Sequence, residues 1–270
     1  MHFMQSLQRR WQDANSLVCV GLDPEPAKFP ARFGKDADSV FHFCRDIVDA
    51  TAPFVCAFKP QIAHFAALAA EDALKRLIAH IHLKHPRIPV ILDSKRGDIG
   101  STAQHYASEA FDRFGADAVT VNPYLGRDSA QPFLDRADKG VIVLCRTSNP
   151  GSAEFQNLSI DGRPLYQHVA ERVASEWNGN RNCLLVVGAT WPKELAEIRA
   201  IAPELPFLVP GVGAQGGDVE AVVRSGRSAD GSGLIISSSR AILYASNGDD
   251  YAEAAGRAAQ QLQGEINRYR

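Results

Sequence analysis

The chain predicts a (β/α)8 barrel, and three observations carry that expectation. Eight short apolar runs recur along the sequence, each too short for a good helix and several rich in Val and Ile. Their hydrophobicity is continuous rather than alternating, the pattern of strands buried on both faces and therefore of a parallel sheet. Segments of helical period lie between them, and strand–helix alternation about eight times over is the signature of this barrel. The length of 270 residues suits a single domain over 1–270, since such barrels run to about 250 residues.

In chain order, the segment HFMQSLQRRWQDA (2–14) predicts an extra N-terminal helix covering the barrel bottom. The strands follow as SLVCVGLD (16–23), FVCAFKP (54–60), IPVILDSK (88–95), DAVTVNP (117–123), GVIVLCRTS (140–148), CLLVVGAT (183–190), LPFLVPG (205–211) and GLIISSS (233–239). Helical periodicity covers 39–53, 71–85, 102–115, 164–178, 191–202, 217–226 and 250–269. No Pro/Gly/Ser linker divides the chain. The longest irregular stretch, SNPGSAEFQNLSIDGR (148–163), follows the fifth strand and has the length of a lid or binding loop.

Composition narrows the function. The chain is 45% hydrophobic and 22% charged with a formal net charge of −2 and no basic tail, which argues against a nucleic-acid binder. The start carries no apolar signal segment and no run approaches the ~18 residues of a membrane span, so a cytoplasmic protein is expected. Five cysteines, Cys19, Cys44, Cys56, Cys145 and Cys183, form no CxxC pair, and four sit in strand-like runs. They read as reduced core residues rather than nucleophiles.

Active sites in these barrels lie at the C-terminal ends of the strands. The residues there are Asp23, Lys59, Asp93 with Lys95, Asn122, Ser148, Thr190, Pro210-Gly211-Val212-Gly213 and Ser239-Arg240. Charge in a barrel mouth is costly unless paired, and the near-alternating signs of Asp23, Lys59, Asp93, Lys95 and Asp98 predict a mutually neutralising network. Side-chain alternation along a strand predicts that Asp93 and Lys95 both face the mouth while Arg96 points away. Asp98 lies in the loop opening the next helix, with Thr102 four residues on; it can reach this site or a neighbouring subunit's.

The run PGVGAQGGD (210–218) contains a GxGxxG match, but it follows the seventh strand rather than the first of a βαβ unit, so a dinucleotide site is disfavoured. A phosphate cradle with Arg240 as a bidentate partner suits loops after strands seven and eight better. The cluster HIHLKH, with His80, His82 and His85, lies away from the strand exits; no nearby acid completes a metal site, and it reads as a solvated helix face.

The motif DSKRGDI (93–99) followed by Thr102 resembles the signature of the orotidine 5′-phosphate decarboxylase family. VGLDPEP (20–26), FKPQ (58–61), SNPG (148–151), PGVGAQGG (210–217) and SSSRAILYAS (237–246) match its other blocks in order, and the NPYLGRD stretch resembles the longer bacterial branch. The resemblance covers nearly the whole chain. It implies a carboxy-lyase converting orotidine 5′-phosphate to UMP and CO2 without cofactor or metal, completing pyrimidine nucleotide synthesis, in a homodimer that shares its active sites. It implies that Lys95 protonates C6, that Asp93 sits near the substrate carboxylate, and that Lys59 and Asp23 bind ribose hydroxyls. It further implies that Asp98, Ile99 and Thr102 are donated across the dimer interface. Ser148 would read the pyrimidine amide edge, and Pro210, Gln215, Ser239 and Arg240 would surround the phosphate. Ser239 departs from the glycine often found before that arginine. The alternative is a Mg2+-dependent sugar-phosphate lyase or decarboxylase of the same superfamily, which by resemblance carries an acid where this chain has Lys59, a cation that would repel the metal. A non-catalytic nucleotide-binding barrel would not need Lys95.

Overall fold

The computed structural model describes residues 2–212 and 217–270. Eight parallel strands are present: β1 (Val18–Leu22), β2 (Ala57–Pro60), β3 (Ile91–Arg96), β4 (Ala118–Val121), β5 (Gly140–Arg146), β6 (Cys183–Val187), β7 (Phe207–Pro210) and β8 (Leu234–Ser238). Each pairs with its neighbour in sequence and β1 pairs with β8. The ring closes between β2 and β3 through the parallel bridges Phe58–Val90 and Gln61–Asp93. Every residue of β1, β2, β4 and β6 is buried, as unbroken apolar runs require of strands covered on both faces.

The surrounding helices used below are α1 (Phe3–Asp13), α2 (Ala37–Thr51), α3 (Glu71–Lys84), α4 (Gly100–Ser108) and α5 (Arg127–Leu134). Asp36 begins α2 as an N-cap, its side chain accepting a hydrogen bond from the Ser39 N–H at 2.8 Å. The segment α5 was not expected from the sequence: it is eight residues long and carries Pro132 in its interior, which reads as a helix breaker. A short antiparallel ribbon, Ser159–Ile160 with Arg163–Pro164, sits in the long segment after β5.

The predicted N-terminal helix packs at the N-terminal end of the barrel. Phe3 is buried and its backbone N–H donates to the Asp138 carbonyl just before β5. A side chain at Gly140, the first residue of β5, would meet the Phe3 ring at 2.4 Å and the Ala118 Cβ at 2.8 Å, so the ring occupies the space that glycine leaves. Arg10 is buried and its guanidinium donates to the Val55 carbonyl at 2.6 Å and the Ala52 carbonyl at 3.0 Å, satisfying backbone acceptors ahead of β2. All five cysteines are buried free thiols; burial pushes the Cys19 thiol up to about 12 and, as the sole cause, Cys183 likewise to about 12. These groups are poor nucleophiles at neutral pH.

Candidate active site

The exits of β2 and β3 bring three charges into direct contact. Asp93 Oδ2 accepts from Lys59 Nζ at 2.8 Å, and Asp93 Oδ1 accepts from Lys95 Nζ at 2.6 Å. Lys59 and Asp93 are buried, at 5% and 7% exposed, whereas the Lys95 side chain is about half exposed and reaches the mouth. Burial alone would push the Asp93 carboxyl up; the ammonium groups of Lys59 and Lys95 outweigh it and hold the carboxyl well below the usual range. Burial likewise opposes the Lys59 ammonium, but Asp93, then Asp23, and the Asp93 hydrogen bond together raise it above the ordinary lysine value. One carboxylate is thus fixed between two ammonium groups.

Lys95 reaches the mouth as expected, but through a bulge rather than through regular strand alternation. Between the register pairs Leu92–Val119 and Arg96–Val121, β3 advances four residues while β4 advances two, so the strand bulges over 93–95. Lys95 sits at φ +49°, in the left-handed region. Thr120 on β4, which is not among the residues expected at the strand ends, holds this bulge. Its Oγ1 accepts from the Ser94 N–H at 3.0 Å and the Lys95 N–H at 2.9 Å, and donates to Asp93 Oδ1 at 2.9 Å. Its only signal in sequence is a hydroxyl inside an apolar run two residues before the strand exit. Replacement by valine keeps the shape and removes all three bonds. Thr120→Val is expected to lower kcat by on the order of 10²-fold through misplacement of Lys95, with a smaller change in KM; an unchanged kcat in steady-state assays would remove Thr120 from the positioning role. Arg96 turns away as expected, pairing with Glu109 at 2.8 Å and stacking on the Tyr106 ring.

Beside this array is a cavity of about 190 Å3 lined by Asp23, Lys59, Asp93, Pro210, Ser239 and Arg240 among others. Asp23 Oδ1 is buried there with no hydrogen-bond partner among the described residues, an acceptor aimed at a space a donor could fill. The Asp23 backbone is fixed by Tyr244, whose hydroxyl donates to the Asp23 carbonyl at 2.9 Å and accepts from the Glu25 N–H at 2.7 Å. Gly21 allows β1 to approach β8 closely, because a Cβ there would lie 1.9 Å from Ser239 Oγ. Arg240 is exposed and forms no ion pair with an acid among the described residues, leaving its guanidinium available to the cavity. Gln215 lies outside the described residues.

Ser148 leaves β5 on a segment clamped from several sides. Thr147 donates from its N–H to Gln156 Oε1 at 2.9 Å, and its carbonyl accepts from the Trp191 indole N–H at 3.0 Å. The buried Arg146 guanidinium donates to Ser152 Oγ and stacks 4.2 Å over the Trp191 ring. Gly188 after β6 permits the approach, since a Cβ there would lie 2.8 Å from the Ser148 Cα. These supports come from residues up to 44 positions away, and no local pattern announces them.

Asp98, Ile99 and Thr102 do not join this cluster within the chain. Asp98 Oδ1 accepts from the Ile99 N–H at 2.8 Å, and its backbone carbonyl accepts from Ser129 Oγ on α5. Ile99 is 61% exposed and Thr102 is also exposed.

Fold and site define a (β/α)8-barrel enzyme that gathers ammonium and carboxylate groups at its strand ends. The sequence profile of the orotidine 5′-phosphate decarboxylase / HUMPS family matches residues 16–255. An orotidine 5′-phosphate decarboxylase of Azoarcus sp. is 62% identical over all of both chains, and one of Ralstonia pickettii is 60% identical, again over all of both. The solved Leishmania donovani OMP decarboxylase superimposes with a TM-score of 0.88 at 42% identity, covering 100% of this chain and 98% of that one. The chain belongs to the orotidine 5′-phosphate decarboxylase / HUMPS family, and it is a decarboxylase.

Proposed function

We propose that the chain converts orotidine 5′-phosphate to UMP and CO2 through the residues assembled at the barrel mouth. The observation that carries this reading is the Lys59–Asp93–Lys95 array, one carboxylate between two ammonium groups at 2.8 and 2.6 Å. Breaking the bond from C6 to the carboxylate leaves an electron pair in the plane of the pyrimidine ring, where no π system can take it up. The chemistry then needs electrostatic stabilisation of that pair and a proton ready at C6. Lys95, half exposed at the mouth and hydrogen-bonded to Asp93, supplies the proton from Nζ, which solvent later replaces. Asp93 faces the substrate carboxylate, so the like charges are relieved as CO2 departs. Lys59 and Asp23 take the ribose hydroxyls; the unpartnered Asp23 Oδ1 suits a hydroxyl donor. Pro210, Gln215, Ser239 and Arg240 surround the phosphate, and Ser148 reads the pyrimidine amide edge. Phosphate is remote from C6, so its binding energy serves to organise the site. Both Asp93 oxygens are taken by lysine ammonium groups, which disfavours a Mg2+-dependent lyase using that carboxylate. The decisive assay follows the absorbance of orotidine 5′-phosphate with and without EDTA: loss of substrate absorbance in both supports the reading, and activity only without EDTA supports the metal-dependent one.

The active site is completed by a second copy of the chain in this proposal. The Asp98 carboxylate accepts from the Ile99 N–H rather than joining the charge array, Ile99 and Thr102 are exposed, and the exposed apolar residues Ile99, Tyr124 and Leu125, on loops after adjacent strands, support an interface there. An open hollow of about 870 Å3 lined by Gly100, Gln104, Arg127, Gln131 and Arg136 flanks the same loop. Lys95→Ala and Asp98→Ala proteins, each inactive alone, are expected to regain activity when mixed and exchanged, because one site per heterodimer is intact. Demonstrated exchange without recovery would place Asp98 in its own subunit's site.

A further inference from the structure

At the end of the barrel opposite the catalytic array, α2 and the C-terminal end of α3 bring together three metal-ligating groups. Asp49 Oδ1 on α2 accepts from His80 Nε2 at 2.7 Å and from His85 Nε2 at 2.8 Å. The three donor atoms all lie within 4.8 Å of one another. Contrary to the expectation that no acid lies near these histidines, Asp49 reaches them from another helix, 31 and 36 residues earlier in the chain. The remaining histidine of the run, His82, turns instead to Asp117 at 2.9 Å, where that carboxylate also accepts the Val90 N–H at 2.9 Å.

We propose that Asp49, His80 and His85 form a binding site for a first-row divalent cation of the zinc type. Two imidazole nitrogens and one carboxylate oxygen are the donor set that such ions take with an open fourth position. Mg2+ and Ca2+ require oxygen-rich shells and fit it poorly. His80 and His85 side chains are 15% and 23% exposed and Asp49 45%, so the nitrogens are held while the open position faces solvent. The present N···O separations are hydrogen bonds. A cation entering between the groups takes the place of the protons on the two Nε2 atoms, each ring keeping a proton on Nδ1, and the two N···O separations widen by about 0.6–0.7 Å to reach the roughly 3.4 Å between ligands about 2.1 Å from a tetrahedral ion. A hollow of about 290 Å3 lined in part by Asp49 and His85 opens beside them. Two of the three cations lining that hollow are engaged elsewhere, Arg10 with the Val55 and Ala52 carbonyls and Arg87 with Asp13 at 3.4 Å, and the third, Lys84, is exposed to solvent. A bound ion clamps α2 to the segment leading into β3, far from the mouth. It therefore stabilises the fold without entering the decarboxylation.

The test uses the full, untagged chain stripped of metal. Zn2+ is expected to bind at one site per chain by isothermal titration, and a hundredfold excess over the Kd to raise Tm by roughly 5–10 °C. Co2+ at the same site should give the visible absorption of a four-coordinate nitrogen–oxygen shell. His80→Ala, His85→Ala and the conservative Asp49→Asn should each weaken binding at least about 100-fold and abolish the Zn2+-dependent rise, while retained decarboxylase activity shows that each variant is folded. His82→Ala should bind normally. The proposal is overturned if the unaltered chain shows no saturable Zn2+ binding, if the variants bind as it does, or if Co2+ shows a thiolate charge-transfer band that places the metal on cysteine. A Tm lowered equally in the variants with and without Zn2+ would reduce the cluster to a hydrogen-bonded helix contact.

Discussion

Lys95→Ala is expected to all but abolish CO2 release, with kcat falling by on the order of 10⁴-fold, while UMP still binds. In the proposed reaction this ammonium gives the proton at C6; it is the one cation of the array that is both half exposed at the mouth and hydrogen-bonded to Asp93, which ties it to the buried network. Its removal leaves Asp93 with Lys59 and Thr120 as partners, so the fold should be nearly unaffected. In the same proposal the phosphate, ribose and amide edge of UMP are held by other residues, so its binding does not depend on the Lys95 ammonium. Lys95 occupies a left-handed backbone position, φ +49°, which alanine tolerates less well than glycine. Lys95→Gly therefore relaxes the backbone while still deleting the ammonium. Equal loss of activity in both variants assigns the effect to the missing proton donor; recovery in Lys95→Gly would assign it to backbone geometry, and full activity in either would end the assignment of Lys95 as the acid.

The barrel was legible because its signal is local and repeated. Seven of the eight strands fall inside the apolar runs that predict them and β3 overruns its own by one residue, Arg96, since a strand buried on both faces is apolar along most of its length. The helix α5 escaped because its eight residues contain Pro132, and short helices are held by packing more than by propensity. Within the site, the residue types at the strand ends were readable but the contacts were not. Asp93 and Lys95 meet through a bulge held by Thr120, a β4 hydroxyl whose importance exists only once β3 lies beside it. Gly188 and Trp191 act on the Ser148 segment from across a strand boundary, and Asp49 joins His80 and His85 from another helix. Periodicity reports which way a residue faces, whereas these contacts depend on which elements become neighbours.

Asp93→Asn is expected to cost both activity and stability. The two carboxylate oxygens have separate partners, Oδ2 with Lys59 and Oδ1 with Lys95 and Thr120. An amide offers one oxygen and one NH2, so one ammonium is left facing a donor. Lys59 is 5% exposed, and a buried cation stripped of its partner destabilises by roughly 3–5 kcal/mol; kcat should fall by at least about 10²-fold as the electrostatic array is broken. The stability loss carries a pH signature. The Asp93 carboxyl is held below its ordinary value, so its contribution is complete above the unfolded carboxyl pKa of about 3.9 and fades as pH falls toward the depressed folded value. Lys59 is raised, so its contribution is complete below about 10.4 and fades only as pH rises through the still higher folded value. Between these limits the Tm difference between the unaltered chain and Asp93→Asn should be flat, and it should narrow below about pH 4 as Asp93 itself becomes protonated. Calorimetric scans at neutral pH and near pH 3 check this. A difference that persists undiminished at the acid end would show that the ion pairs of Asp93 are not what its replacement removes.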